Sequence, residues 1–321
     1  MPFLVALACG VVLVPLARAA GATAGIVDRP GALKIHAHPI PLTGGVAVVA
    51  STILAVAIFA PAPHAAVLGG IGGALALGTV DDVRPLSAWL RVGLLGCIAI
   101  AIVAGGVELE PLGVLGGAGL VVGAVLCANA VNVMDGQDAL AGGLVVVAAL
   151  GLAAVAGLTD LREAQVTGLA LAGGTLAFLW WNRPPASVFL GNGGAYAVGF
   201  TLAVLAGELS RDGWRNLAAA VVVLGVFAFE VVMTLARRAV ARGSLTGGDR
   251  KHSYDLISAR RGRARAAITM WVAAALAALL GIAVATAPIP VAAGAGGLAL
   301  LLGAVAGRWL WAHRALAPQT D

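Results

Sequence analysis

One short stretch of this chain has polar residues at a regular spacing that could place them together on one face of a helix. Asn129, Asn132, Asp135 and Asp138 follow one another every third residue at the end of an apolar run. At about 100° per residue on a helix, each step of three returns to within about 60° of the last, so the four side chains form one slowly winding stripe. Such a stripe should face a cavity that holds water or a ligand. The alternative, that Asp135 only caps the following helix, leaves both asparagines unexplained.

A pair of adjacent carboxylates, Asp81 and Asp82, ends another apolar run. Adjacent carboxylates repel, so keeping both ionised requires a cation, an arginine or water nearby. On a helix their side chains diverge by about 100°, so one could face a metal while the other acts on a proton or orients a partner. Arg91 follows nine residues after Asp82 and could pair with a phosphate or extend to the interface. A solvated loop is the simpler alternative for the dipeptide.

A loop rich in proline and glycine joins two later apolar runs, from Asn182 to Gly194. Glycines permit close approach of the backbone to a ligand, which suits phosphate binding through main-chain amides. A tight turn is the simpler interpretation.

The last polar segment, residues 237–265, is predicted to be the longest and most basic loop. Asp249, Arg250, Lys251 and His252 offer anion-binding cations beside a carboxylate and an imidazole. The alternative is a topology signal with contact to lipid headgroups. Glu230 precedes this segment on an apolar helix, and we expect it to be paired structurally with a nearby arginine rather than to be a ligand.

The chain is dominated by apolar residues: 60% of its 321 residues are hydrophobic and 11% are charged. Lipid must therefore be its main solvent. A hydrocarbon core of about 30 Å needs roughly 20 apolar residues per helical span, and runs of about that length recur along the whole chain. We predict an all-α, polytopic membrane bundle, a single domain over residues 1–321, with about eleven spans, or ten if prolines near residue 288 only kink a helix. The predicted spans cover residues 2–20, 43–61, 65–80, 89–107, 115–133, 138–157, 163–181, 194–209, 215–240, 264–286 and 288–306.

Charge predicts the orientation of this bundle. When loops alternate between the two faces, all of the 20 Lys and Arg residues except Arg162, Arg211 and Arg215 fall on one face. By the positive-inside rule that face is cytoplasmic, which puts the N-terminus outside. The net charge of +5 then reflects topology and contact with anionic lipid, not nucleic acid binding. All the polar stretches described above lie on this predicted cytoplasmic face.

These stretches resemble the polyprenyl-phosphate N-acetylhexosamine-1-phosphate transferase family (glycosyltransferase 4), in its undecaprenyl- or decaprenyl-phosphate N-acetylglucosaminyl-1-phosphate transferase branch. Members move a phosphosugar from a UDP-sugar to a lipid phosphate. Five stretches carry the resemblance, in family order: Asp28–Gly45 with Lys34 and His36, Gly78–Asp82 with Arg91, the N-x-x-N-x-x-D-G-x-D pattern of Asn129–Asp138, Asn182–Gly194, and Asp249–His252 as a D-x-x-H.

The resemblance implies an Mg²⁺-dependent enzyme, or one using Mn²⁺, of the cell membrane that binds a UDP-sugar and a polyprenyl phosphate and starts a cell-envelope glycan. It implies that the lipid phosphate displaces UMP, directly or through a covalent aspartate intermediate, and it leaves open whether the protein is a homodimer. The implied catalytic residues are Asp81, Asp82 and Asp135, and the implied metal ligands are Asp81, Asp82 and Asn192. The implied substrate-binding residues are Lys34, His36, Arg91, Asn129, Asn132, Asp138, Asn182, Asp249, Arg250, Lys251 and His252.

Two departures from the family pattern bear on this interpretation. Asn192 stands where the family usually has a metal-binding aspartate, and the usual H-x-H-H reads His252-Ser253-Tyr254-Asp255. The first and last loops lack the signatures of the muropeptide-transferring branch, so we expect UDP-N-acetylglucosamine or a related donor. Two other hypotheses are a transporter, which would need polar groups near the membrane centre, and a family member that binds its ligands without catalysis.

Overall fold

The computed structural model describes residues 1–30, 36–60, 65–240 and 251–312. Within these ranges the chain forms thirteen α-helices, a 3₁₀ helix at Glu110–Leu115, and a two-stranded antiparallel sheet of β1 (Val27–Asp28) and β2 (Ile40–Pro41). The α-helices are α1 Pro2–Ala24, α2 Gly44–Phe59, α3 Ala65–Val83, α4 Ala88–Ala104, α5 Gly116–Met134, α6 Leu140–Leu158, α7 Arg162–Asn182, α8 Gly191–Ser210, α9 Trp214–Val223, α10 Gly225–Val240, α11 Ser253–Arg261, α12 Arg263–Thr286 and α13 Ile289–Ala312.

The predicted all-α membrane fold is confirmed. In the described part of the chain, 7 helices are long and apolar enough to cross a bilayer, or 8 when the bent pair α9 and α10 counts as one span. Helices α2 and α4 are apolar but shorter. The number of eleven spans stays a prediction.

The predicted span over residues 215–240 is wrong in its continuity. The chain breaks at Leu224, and α9 and α10 meet at 68°. Gly225 follows the break, and glycine is a common site of sharp helix bends because it holds helical geometry poorly. The bend sets the axis of α10, and with it the direction from which Glu230 approaches the polar face.

The predicted long loop over residues 237–265 is also wrong in part. Helix α10 continues to Val240, a further helix α11 covers Ser253–Arg261, and α12 begins at Arg263. His252 and Asp255 close the first turn of α11 as a reciprocal capping box, which explains why so polar a segment is helical. Gly262, at φ 81°, allows the sharp joint between α11 and α12.

Helix α8 lies at the centre of the bundle, with 94% of its apolar window buried. It packs against α3 on one side and α5 on another, while α1, α6 and α7 form a neighbouring group of packed helices. A helix that is apolar on all sides is expected in a core rather than at an interface with water. The N-terminus of α8 is thereby fixed among the ends of α3 and α5, which carry the candidate acids.

Candidate active site

The turn before α8 is fastened to the segment that follows the first loop. Phe189 donates its N–H to the carbonyl of Pro41 at 2.8 Å, and Gly44 and Gly45 donate to the carbonyls of Phe189 and Leu190, both at 2.9 Å. Two of the sequence stretches therefore meet through main-chain hydrogen bonds. Their meeting point is the first turn of the most buried helix.

Helix α3 approaches that same turn closely because of Gly78. A Cβ atom at Gly78 would lie 2.4 Å from the carbonyl group of Asn192 and the nitrogen of Gly193, so only glycine fits there. The contact places the end of α3, one turn later, beside the N-terminus of α8. This explains why a glycine precedes the aspartate pair Asp81 and Asp82.

Asp82 faces the N-terminal amides of α8. Its Oδ1 accepts the N–H of Asn192 at 3.0 Å, and its Oδ2 accepts the N–H of Gly193 at 3.3 Å. Gly191, at φ 74°, turns the chain into the helix, and its N–H acts on the carboxylate of Asp135. Two carboxylates thus occupy the positive end of the helix. The amides that the sequence suggested for phosphate binding donate to these acids instead.

Asp81 is held by the protein on both of its oxygens. Its side chain is buried, and Oδ1 accepts the N–H of Leu86 at 2.7 Å. Oδ2 receives the Nδ2 of Asn192 at 3.0 Å, the hydroxyl of Tyr196 at 3.0 Å, and Arg91 at 3.3 Å. Arg91 is therefore an ion-pair partner of Asp81. The two adjacent aspartates have different environments, as their divergence on a helix suggested: Asp81 is anchored and Asp82 faces the helix end.

Tyr196 is a site residue that the sequence analysis missed. Its side chain is fully buried in α8, and its hydroxyl donates to Asp81 while accepting the Nδ2 of Asn132 at 3.3 Å. The missed signal was its rarity: the chain has 2 tyrosines, and this one lies in an apolar helix, where its hydroxyl needs a polar partner. Through Tyr196 the stripe on α5 is joined to the pair on α3.

Asp135 directly follows the last residue of α5, close to the hydrogen-bond network of Asp81 and Tyr196. Loss of solvent raises its pKa well above the ordinary value, the carboxylates of Asp82 and Asp138 raise it further, and the N–H of Gly191 opposes them. Asp135 does not cap the next helix, since α6 begins at Leu140 with Ala139 in the capping position. An acid in these surroundings gains from a cation, which fits a site that binds divalent metal and phosphate.

Asn182 and Asp138 fasten two loops to each other. Asn182 accepts the N–H of Ala139 at 2.9 Å and donates to the carbonyl of Val188 at 3.0 Å. Asp138 accepts the N–H of Ala186 at 3.0 Å. Both side chains, predicted to bind substrate, thus hold the loop after α5 against the loop before α8. Asn129 donates to the carbonyl of Val125 in its own helix at 2.8 Å.

Comparison with known proteins identifies the family. Residues 64–210 match the model of glycosyl transferase family 4. A phospho-N-acetylmuramoyl-pentapeptide-transferase of Symbiobacterium thermophilum is 32% identical over 312 residues, covering 86% of this chain and 91% of the relative. The chain belongs to glycosyl transferase family 4.

Relatives with a different printed specificity are also similar to this chain. A probable undecaprenyl-phosphate N-acetylglucosaminyl 1-phosphate transferase of Bacillus subtilis is 27% identical over 277 residues, covering 80% of this chain and 76% of the relative. An undecaprenyl-phosphate alpha-N-acetylglucosaminyl 1-phosphate transferase of Thermotoga maritima is 28% identical over 245 residues, covering 74% of each. As a family 4 member this protein is a membrane-embedded glycosyltransferase.

In this family 4 member, α11 brings Tyr254, and through it His252, to the loop that carries Asp135. Tyr254 donates its hydroxyl to the carbonyl of Val133 at 3.1 Å and lies against Gly136. The ring of His252 stacks on Tyr254 with centroids 5.6 Å apart and 10° between the planes. The second tyrosine of the chain therefore connects the last loop to the acids, and it stands where the family usually has histidine.

The first loop brings a second imidazole near the site. The Nε2 of His36 lies 2.9 Å from Oδ2 of Asp28, and its Nδ1 lies 2.8 Å from the carbonyl of His38. The ring meets Phe189 edge on at 5.6 Å, so it lies at the turn before α8. Lys251 is exposed next to His252. Lys34, Asp249 and Arg250, which were also predicted to bind substrate, lie outside the described residues.

The donors at this site suit Mg²⁺ when substrate oxygens complete the set. Among the described residues, no three His, Cys, Asp or Glu side chains form a group that could hold a metal ion. Mg²⁺, however, is commonly bound by one or two carboxylates together with waters and substrate phosphates. Asp82 and Asp135 offer two carboxylates, and Asp81 with Asn192 lies directly behind them. The residues therefore fit the predicted ion.

Proposed function

We propose that this protein transfers a sugar 1-phosphate, most simply N-acetylglucosamine 1-phosphate, from a UDP-sugar to a polyprenyl phosphate. The products are UMP and a polyprenyl-diphosphate-linked sugar that initiates a cell-envelope glycan. Membership of glycosyl transferase family 4 supports the transfer of a sugar phosphate to a polyprenyl phosphate. The names of the Bacillus and Thermotoga relatives support the sugar.

One observation carries the proposal: Asp81, Asp82, Asn192 and Asp135 converge at the N-terminus of α8. They come from three sequence stretches more than forty residues apart, and direct hydrogen bonds or electrostatic contact join them. The convergence lies at the ends of membrane helices rather than at their centres. A site at a membrane edge can admit a water-soluble nucleotide from one side and a lipid phosphate from the other.

The chemistry asks for charge neutralisation and alignment. An oxygen of the lipid phosphate attacks the β-phosphorus of the UDP-sugar, the bond from that phosphorus to the bridging oxygen breaks, and UMP leaves with the electron pair. Asp82 and Asp135 would hold Mg²⁺, which when bound neutralises phosphate charge. Asp81 holds the loop and Asn192 in register rather than meeting substrate. The direct attack needs no covalent enzyme intermediate and is the simpler path.

Cations of the first and last loops would bind the phosphates and the sugar. His252 and Lys251 lie at the start of α11, beside the Asp135 loop. Lys34 and Arg250 belong to the same two loops and keep their predicted role. Ammonium and guanidinium groups, and the imidazole when it is protonated, donate to phosphate oxygens and do not compete for the metal.

The site is proposed to face the cytoplasm, where UDP-sugars are made. The supporting observation is the charge asymmetry of the loops. Three arginines on the predicted cytoplasmic side also lie over tryptophan rings at helix ends, as expected for residues at a lipid headgroup boundary. The pairs are Arg18 with Trp181, Arg183 with Trp180 and Arg260 with Trp309.

A donor screen tests the proposal. Purified protein is supplied with undecaprenyl phosphate, Mg²⁺ and, in turn, UDP-N-acetylglucosamine, UDP-N-acetylgalactosamine, UDP-glucose and UDP-N-acetylmuramoyl-pentapeptide, with UMP release as readout. We expect the strongest turnover with UDP-N-acetylglucosamine and a loss of at least 100-fold in Asp82→Asn. Asp160→Asn, an acid on the opposite face, is the control and should keep full activity.

Two results would overturn parts of the proposal. Turnover with the muropeptide donor alone would reject the sugar assignment and keep the reaction. No UMP release with any UDP-N-acetylhexosamine would reject the reaction itself.

A further inference from the structure

Glu230 is a buried acid in the N-terminal half of α10, and no sequence motif of the site includes it. Its side chain is 1% exposed. A buried carboxylate is unfavourable unless the protein supplies charged or hydrogen-bonding partners. Its partners therefore show what it is for.

Those partners are concentrated at the start of α11. Oε1 of Glu230 lies 2.8 Å from Nδ1 of His252, whose side chain is also buried. Oε2 accepts the N–H of Ser253 at 3.3 Å and also the hydroxyl of Ser253. Thr234, one turn after Glu230, places its hydroxyl 3.3 Å from both Oε1 and Nδ1 of His252.

The N-terminus of α11 does not itself need this acid. The side chain of Asp255 already accepts the N–H of His252 at 3.2 Å, which completes a capping box. A capped helix that needed only attachment could be fixed by apolar contacts or a hydroxyl. Beyond the two hydrogen bonds that it accepts from Ser253, the carboxylate supplies an anionic acceptor for one nitrogen of the imidazole.

Resting on the proposed function, we infer that Glu230 is a positioning residue for His252. Its Oε1 accepts a hydrogen bond from the Nδ1–H of His252, so it sets the ring orientation. Nε2 is then the atom that accepts a sugar hydroxyl when the ring is neutral and donates to phosphate when the ring is protonated. The ring of Tyr254 also holds the imidazole of His252, by stacking on it with the centroids 5.6 Å apart. The imidazole is thereby fixed between α10 and the Asp135 loop.

We expect His252 to have one defined tautomer. Nδ1 of His252 should carry a proton in the wild-type protein, a state visible in ¹⁵N spectra of histidine-labelled protein, where the chain has 5 histidines to assign. Glu230→Gln keeps the volume and removes the charge, and Glu230→Asp keeps the charge but draws it back from Nδ1. Both should mix the tautomers of His252. Substitution His252→Gln identifies its signal by loss.

The kinetic arm separates positioning from folding. Substitution of a carboxylate that orients a metal-binding histidine typically lowers metal affinity or activity about 10- to 100-fold. We therefore expect Glu230→Gln to lower kcat/KM for the UDP-sugar by at least 10-fold. Glu208→Gln is the matched control, a buried acid of α8 that lies 3.1 Å from Arg211 at the other end of the bundle. The thermal midpoint of Glu230→Gln should fall no further than that of the control.

Two results would contradict a positioning role for Glu230. A His252 tautomer that is unchanged in Glu230→Gln, or an activity loss fully matched by lost folded protein, would show a structural anchor and overturn the inference. If the wild type turns over no UDP-sugar, the proposed function fails, but the tautomer measurement still decides whether Glu230 positions His252.

Discussion

Asn192→Asp is the most informative single change, because it would add a fourth carboxylate beside Asp81, Asp82 and Asp135. The amide of Asn192 donates to Oδ2 of Asp81 at 3.0 Å. A carboxylate in the same place can no longer donate, and its oxygen would face that of Asp81 at the same separation. The variant therefore exchanges an attractive contact for a repulsive one unless a cation lies between the two acids.

The size of the effect follows from the geometry. Two unit charges about 3 Å apart repel by about 5 kcal/mol at an effective dielectric constant near 20. The lost hydrogen bond to a charged group contributes about 1.5–3 kcal/mol more. Rotation of the new side chain and the cation of Arg91, 3.3 Å from Asp81, relieve part of this. We expect a net destabilisation of about 3 kcal/mol, or about 5 °C in the thermal midpoint of a chain this large.

The assay is thermal unfolding of purified protein in detergent, with chelator or with Mg²⁺. In chelator Asn192→Asp should unfold below the wild type, and Mg²⁺ should restore most of the difference, because ion binding to the folded state stabilises it. Asn216→Asp is the matched control: Asn216 is also buried and donates to a carboxylate, Asp212, at 3.0 Å, far from the site. It should be destabilised without specific rescue.

Two outcomes would refute this reasoning. Equal stability of Asn192→Asp and wild type in chelator would show that the hydrogen bond from the Asn192 side chain to Asp81 contributes little to the free energy of unfolding. Equal rescue of both variants by Mg²⁺ would show that the ion acts elsewhere. Turnover adds a further distinction: a lower Mg²⁺ requirement is expected, whereas a large gain from a near-zero baseline would identify a family member that binds without catalysis.

Three further predictions concern the same network. Tyr196→Phe removes the hydroxyl shared by Asp81 and Asn132, which should destabilise the protein by about 1–3 kcal/mol in chemical or thermal unfolding; an unchanged midpoint would contradict the network. Gly78→Ala should abolish folding or activity, since its Cβ would meet backbone 2.4 Å away, whereas Gly73→Ala on the same helix should be tolerated. Burial raises the pKa of Asp135 above 3.8, so its ionised form destabilises the metal-free protein increasingly as pH rises; Asp135→Asn should raise the midpoint in chelator more at pH 8 than at pH 5, and the reverse order would contradict this.

The fold class and the convergence of the motifs could be predicted from the sequence, for physical reasons. Apolar runs of membrane length leave little choice of architecture, and charged loops reveal their common face. Polar residues at the ends of those runs must then meet near one membrane edge. Asp81, Asp82, Asn192 and Asp135 converge in the structure at the N-terminus of α8.

The partners of each side chain could not be predicted, because they depend on helix packing. Nothing in the pattern around Asn182 or Asp138 distinguishes a ligand from a side chain that holds two loops together. Tyr196 was hidden in an apolar helix, and its role depends on how closely α3 and α8 approach at Gly78. The bend at Leu224 and the helix α11 were also missed, because the apolar run over residues 215–240 gives no sign of a break and the polar composition of residues 237–265 indicated a loop.

We propose that this site transfers a sugar together with its phosphate. UDP-N-acetylglucosamine labelled separately with ³²P at the α- or β-phosphate, incubated with purified protein, undecaprenyl phosphate and Mg²⁺, tests it directly. We expect β-label in the lipid fraction and α-label in UMP, with neither transfer in Asp135→Asn. Release of both labels together as UDP, or a lipid fraction without label, would contradict it.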